Sequence, residues 1–148
     1  RVGYPSRAEE LQIMDRVAGQ TLPRLGAVVS PQQLAKASKV VSEIYIDPKV
    51  KEYIVSIVLA TRDAPAAGLK DMAGYIEYGA SPRATIYLNM AARAHAFLRH
   101  RGFVTPEDVK AVAYDVLRHR VSLTYEAEAE NLTTEKVIQK ILEKIEVP

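Results

Sequence analysis

The sequence has no cysteine, no tryptophan and only two phenylalanines among its 148 residues. Without cysteine it can build neither a disulfide framework nor a thiolate metal site, a composition that fits a reducing, cytoplasmic setting. No stretch approaches the roughly 18 consecutive apolar residues that cross a bilayer. The opening RVGYPSRAEE lacks the apolar core of a secretory leader. The charges nearly balance: 20 Lys and Arg against 18 Asp and Glu leave a formal net charge of +2, too small by itself to argue for nucleic-acid binding.

What is present suits one globular domain with an aliphatic core: 48% hydrophobic residues, 26% charged, and eight tyrosines as the main aromatic content. The charge is unevenly spread. Residues 81–120 carry seven Lys or Arg against three acids, and residues 121–148 carry six acids against three Lys. A basic middle segment could attract an anionic ligand, or the two segments could simply be differently charged solvated faces. The chain opens without Met on an extended Arg1-Val2-Gly3-Tyr4-Pro5, so we expect a segment of something longer.

Proline marks the helices. Ser30-Pro31, Asp47-Pro48, Ser81-Pro82 and Thr105-Pro106 each place a capping side chain before a proline. The cap oxygen can satisfy an orphan N–H, and proline at the first helical position forfeits no hydrogen bond. Ser6 with Glu9 and Ser30 with Gln33 have capping-box spacing. Behind these starts apolar residues recur at helical intervals: Leu34, Ala37, Val41 and Ile44; Val50, Tyr53, Ile54, Ile57 and Val58; Met90, Ala94, Phe97 and Leu98; Val109, Val112, Ala113 and Val116; Val137, Ile138, Ile141, Leu142 and Ile145. Gly102 is placed to stop the helix that starts at Ser81. Short β pieces are expected at residues 27–29 and 44–46, giving at most one short β pair. The fold class is therefore all-α, a small helical bundle.

Chemistry-bearing patterns are few. GYIEYGAS, residues 74–81, has the glycine spacing of a phosphate-cradling loop, but Ala80 and Ser81 stand where that loop needs Lys and then Ser or Thr. His95, His100 and His119 have no cysteine to join them and read as surface histidines. Glu107 and Asp108 fall in a first helical turn, where they complement the dipole, and the two LRHR copies fall at helix ends, where cations are favourable. Arg93, Arg99, Arg101, Lys110, Arg118 and Arg120 could form a phosphate-contacting patch. No helix-turn-helix pattern or interleaved stacking aromatics support one, so a helical nucleic-acid-binding or protein-interaction module stays an alternative.

Arg83, in GASPRA, is unusual. It puts a positive charge where the helix dipole is already positive. A helix N-terminus favours an anion, and an arginine there strengthens an anion site. The other reading is that Arg83 turns outward and pairs with an acid such as Glu77.

The ordered segments GYPSRAEE, YIVSIVLATR, YGASPRATIYL, VTPEDVKAVAYDVLRHRV and SLTYEAEAE closely resemble the C-terminal part of MoxR-family AAA+ ATPases over essentially the whole chain. The resemblance implies that residues 1–28 are the end of the AAA+ core with the linker into the lid, and residues 29–148 the helical lid. It implies that Arg83 is the sensor-2 arginine that reaches the γ-phosphate, with Ser81 at the start of its helix. It also implies that Gly3, Tyr4 and Pro5 lie near the adenine, and that Arg118, His119 and Arg120 face a neighbouring subunit. ATP and Mg belong to the full-length protein. This chain, lacking the phosphate-binding loop, is expected to bind neither and to be inactive alone. The partners implied are its own N-terminal AAA+ core, neighbouring subunits of a homo-oligomeric ring and a von Willebrand factor A domain protein, in chaperone-like work. Neither a membrane nor nucleic acid is expected as a partner.

Overall fold

The computed structural model describes residues 3–18 and 26–148, in two units, residues 1–36 and 37–148. In the first unit Ser6 starts α1 (Arg7–Val17) with the expected capping box. Ser6 N–H and Oγ–H both donate to Glu9 Oε2 at 2.7 Å, and Glu9 N–H returns to Ser6 Oγ at 3.4 Å. The backbone and then the side-chain bond from Ser6 hold the Glu9 carboxyl below its ordinary pKa. No residue of α1 is buried, and Leu11, Ile13, Met14 and Val17 are exposed. Ser30 and Gln33 exchange hydrogen bonds of 2.8 and 3.2 Å at the start of α2 (Pro31–Glu43). Residues 27–29 are not the expected strand. Val28 and Val29 form an exposed bend, because no neighbouring strand among the described residues offers them a ladder.

The second unit holds α3 (Pro48–Ala60), α4 (Pro82–Leu98), α5 (Pro106–Leu117), α6 (Tyr125–Ala129) and α7 (Thr134–Lys144). Its strands β1 (Ile76–Tyr78) and β2 (Ser122–Leu123) pair antiparallel, with Ile76 opposite Leu123. Among the described residues this is the one β pair, in a bundle that is otherwise helical as expected. The 44–46 segment contributes only a single parallel bridge, Tyr45 to Phe103. Tyr45 N–H donates to Gly102 O at 3.0 Å and Val104 N–H donates to Tyr45 O at 2.9 Å.

The core is aliphatic. Val50, Tyr53, Ile54, Ile57 and Val58 of α3 and Val137, Ile138, Ile141 and Leu142 of α7 are buried, the stripes that helical spacing implies. Each large aliphatic side chain so placed contributes about 1.5–3 kcal/mol. α4 departs from the expected face: Met90 and Leu98 are exposed, and Ala84, Leu88, Ala92 and Ala96 are buried instead. These residues recur every fourth position, and the three alanines among them leave room for α4 to lie close against α5, its main neighbour. α2 buries nothing. Of its expected stripe Leu34 is exposed, and only Ile44, just beyond the helix, is buried.

α4 also ends before Gly102. Leu98 is its last residue, and His100, at φ 57°, turns the chain in the left-handed region. Histidine tolerates that conformation better than a β-branched residue would.

Candidate functional site

The sharpest geometry surrounds the start of α4, where two separate sequence segments meet. Thr61, just past α3, is fully buried. Its hydroxyl donates to Val58 O at 2.6 Å and accepts from Ala80 N–H at 2.9 Å. The next residue, Arg62, donates its Nε–H to Ala80 O at 2.7 Å. Both backbone polar groups of buried Ala80 therefore find their partners at the end of α3, which avoids the penalty of leaving them unpaired. Gly79 makes the approach feasible. A Cβ there would lie 2.3 Å from Thr61 O and 2.8 Å from Arg62 Cα, distances no alanine could accept.

From this anchored turn the chain passes through Ser81, extended at φ −71° and ψ 167°, into Pro82 at the first helical position. The Ser81 side chain makes no capping hydrogen bond, contrary to the expectation from Ser-Pro. The turn is held from outside by Thr61 and Arg62, so the helix start does not depend on a serine cap. Arg83 stands exposed in the first turn, which contains no acidic residue. Among the described residues no hydrogen bond or ion pair engages its guanidinium, and pairing with Glu77 does not form. Helix dipole and side chain together make this end of α4 positive.

Gly3, Tyr4 and Pro5 belong to the first unit, where they are exposed ahead of α1. The Tyr4 side chain is fully solvated, and a Cβ on Gly3 would meet nothing within 4 Å.

At the opposite end of α4 lies a polar cluster that sequence reasoning passed over. Asp108, in the first turn of α5, is 1% exposed. Its carboxylate accepts from both terminal nitrogens of Arg101, from His95 Nδ1 at 2.7 Å, and from Thr105 N–H at 2.8 Å and Thr105 Oγ1 at 3.1 Å. Burial would raise the Asp108 pKa, but the bonds from Arg101, Thr105 and His95 outweigh it and hold the group ionised far below the usual range. The same bond raises the Arg101 pKa. His95 is thus no free surface histidine, Asp108 does more than complement a dipole, and Arg101 is an ion-pair partner rather than a helix-end cation. The one available signal was the Thr-x-x-Asp spacing of residues 105–108, which fits a cap but says nothing of burial.

Three more basic residues of the expected patch, Arg93, Arg118 and Arg120, are engaged within the chain. Arg93 donates to Asn89 Oδ1 at 3.2 Å and to Ser42 O. Arg118 lies 3.4 Å from Asp115 and 3.7 Å from Glu135, and the Arg120 guanidinium sits 4.9 Å over the Tyr87 ring. His119 is exposed. A cleft of about 750 Å³ lined by Tyr87, Met90, Arg93, Val116, His119 and Arg120 includes no residue of the 79–83 turn. Among the described residues no cluster of His, Asp or Glu could hold a metal ion, and no helix is long and apolar enough to cross a membrane.

Residues 70–141 match the family described as the AAA lid domain, so the helical bundle is a lid of the AAA class. The chain is 37% identical over 147 residues to the Chaperone MoxR1 of Mycobacterium tuberculosis, covering 99% of itself and 39% of that protein. It is 38% identical over 102 residues to the Protein MoxR of Paracoccus denitrificans, covering 65% of itself and 30% of that protein. A solved structure from Cytophaga hutchinsonii, described as a candidate ATPase, superposes with a TM-score of 0.89 at 39% identity, over 99% of this chain and 45% of that one. The chain belongs to the lid domains of MoxR-family AAA+ ATPases. It spans less than half the length of these relatives.

Proposed function

We propose that this chain is the nucleotide-responsive lid of a MoxR-type ATPase, with Arg83 as the sensor-2 arginine that contacts the terminal phosphate of ATP. The observation that carries this reading is an exposed guanidinium without a partner among the described residues, in the first turn of a helix whose start is anchored from behind. A planar, permanently charged fork at a positive helix end suits a phosphate, and the residues present fit that group. ATP with Mg supplies the phosphoryl chemistry in the full-length protein. Arg83 would orient the terminal phosphate, and the lid would bring that charge to the core.

On this reading residues 1–28 close the AAA+ core and lead into the lid, residues 29–148 form the lid, and Gly3, Tyr4 and Pro5 border the adenine. The chain alone lacks a phosphate-cradling loop and would be inactive. The assembled protein would be a cytoplasmic, chaperone-like ring in which Arg118, His119 and Arg120 face a neighbouring subunit, and a von Willebrand factor A domain protein would be among its partners. The test is Arg83→Ala in the full-length protein. Turnover of ATP should fall at least about tenfold, in line with losing one charged transition-state contact, while circular dichroism shows the lid still folded. Unchanged turnover would remove Arg83 from the mechanism.

A further inference from the structure

Ala80 lies two residues before Pro82, the first residue of α4, and neither of its backbone bonds is part of a helix or a sheet. One reaches back to Thr61 Oγ1 and the other to Arg62 Nε, across 19 and 18 residues of chain. Thr61 is itself held in place. Its hydroxyl hydrogen is committed to Val58 O at 2.6 Å, so a lone pair is left facing the Ala80 N–H. Gly79, in backbone contact with Thr61 and Arg62, leaves the turn no slack. Three residues beyond Ala80 stands Arg83, exposed and with no partner among the described residues to fix its direction.

From this arrangement we infer that Thr61 and Arg62 are positioning residues for Arg83, forming a two-bond latch that fixes the start of α4 and so the direction in which Arg83 is presented. The inference rests on the reading of Arg83 as the phosphate-contacting arginine. It adds a link: the end of α3 and the phosphate contact move as one piece. A latch that only stabilises the fold would weaken the protein equally whether or not Arg83 is present. A latch that positions Arg83 has nothing to position once that side chain is gone.

The experiment is a set of double-mutant cycles in the full-length protein, reading kcat and KM for ATP separately. Thr61→Val keeps the shape and removes the acceptor, Thr61→Ser keeps the acceptor, and Arg62→Ala removes the second bond from an exposed position that tolerates truncation. Each is made with Arg83 intact and with Arg83→Ala. Thr61→Val and Arg62→Ala should lower kcat about three- to tenfold with Arg83 present, and by less than about twofold without it. Thr61→Ser should stay within about twofold of the parent protein. Hydrogen exchange across residues 76–84 should quicken in Thr61→Val. Equal losses in both backgrounds, or unchanged exchange at Ala80, would overturn the latch while leaving the sensing role of Arg83 intact. Parent-level turnover in Arg83→Ala would instead overturn the sensing role, and the positioning role with it.

Discussion

Gly79 and Thr61 lie in direct backbone contact: a Cβ on Gly79 would come within 2.3 Å of the Thr61 carbonyl oxygen. The atoms it would strike belong to a chain segment held by its own helix, so they cannot swing aside as a flexible side chain would. Gly79→Ala should therefore cost about 1–3 kcal/mol, the usual range for overpacking a tight site. Gly102→Ala is the matched control, since a Cβ there meets nothing within 4 Å. Its melting temperature should stay at or slightly above that of the parent chain. Thermal unfolding of the two variants side by side checks the contrast.

Asp108 gathers His95, Arg101 and Thr105 around one buried carboxylate. Asp108→Ala leaves Arg101 and the Thr105 N–H without their acceptor and should cost about 3–5 kcal/mol, as broken buried pairs do. For a chain of this size each kcal/mol corresponds to about 2–4 °C in melting temperature, a shift that calorimetry resolves easily.

The same carboxylate sets a pH dependence. Its pKa is lowered in the folded chain, so its contribution is fully present above the unfolded value of about 3.9 and is lost as pH falls below that toward the folded value. Glu9 and Asp71 are lowered as well and act with the same sign. Stability should hold from neutrality to about pH 4 and decline below it. In Asp108→Asn the decline should be shallower, as melting curves at several pH values between 2 and 7 would reveal.

Lys140 and Asp71 form a 2.7 Å ion pair on the surface, with side chains 43% and 62% exposed. Water screens such a pair, so Asp71→Asn should alter stability by less than about 1 kcal/mol. Raising the salt concentration should shrink even that difference, measured by denaturant titration at low and high ionic strength.

Much of this fold is legible in the residues. Proline after Ser or Asp located the helix starts, and the Ile and Val stripes of α3 and α7 identified the two most apolar buried faces. The buried face of α4 is not legible, because alanine carries little hydrophobic signal: Met90 and Leu98 dominate the pattern yet are exposed, while Ala84, Ala92 and Ala96 are buried. Arg83 stood out because its charge conflicts with the local dipole. Thr61 and Arg62 could not stand out: their role comes from a meeting with Ala80 across 18 or 19 residues, which no local pattern encodes. Asp108 was hidden for the same reason, since a first-turn acid looks alike whether it faces water or an arginine.

The length of α4 gives its two ends a shared mechanical meaning. Seventeen residues make a rod of about 25 Å at 1.5 Å per residue. Arg83 rides on one tip, and at the other tip His95 is tied into the Asp108 cluster together with Arg101 and the first turn of α5. With its first turn latched to the end of α3 and its far end tied to α5, the rod is pinned at both tips. It cannot tilt by itself, so any change in the direction of Arg83 has to carry the ends of α3 and α5 with it.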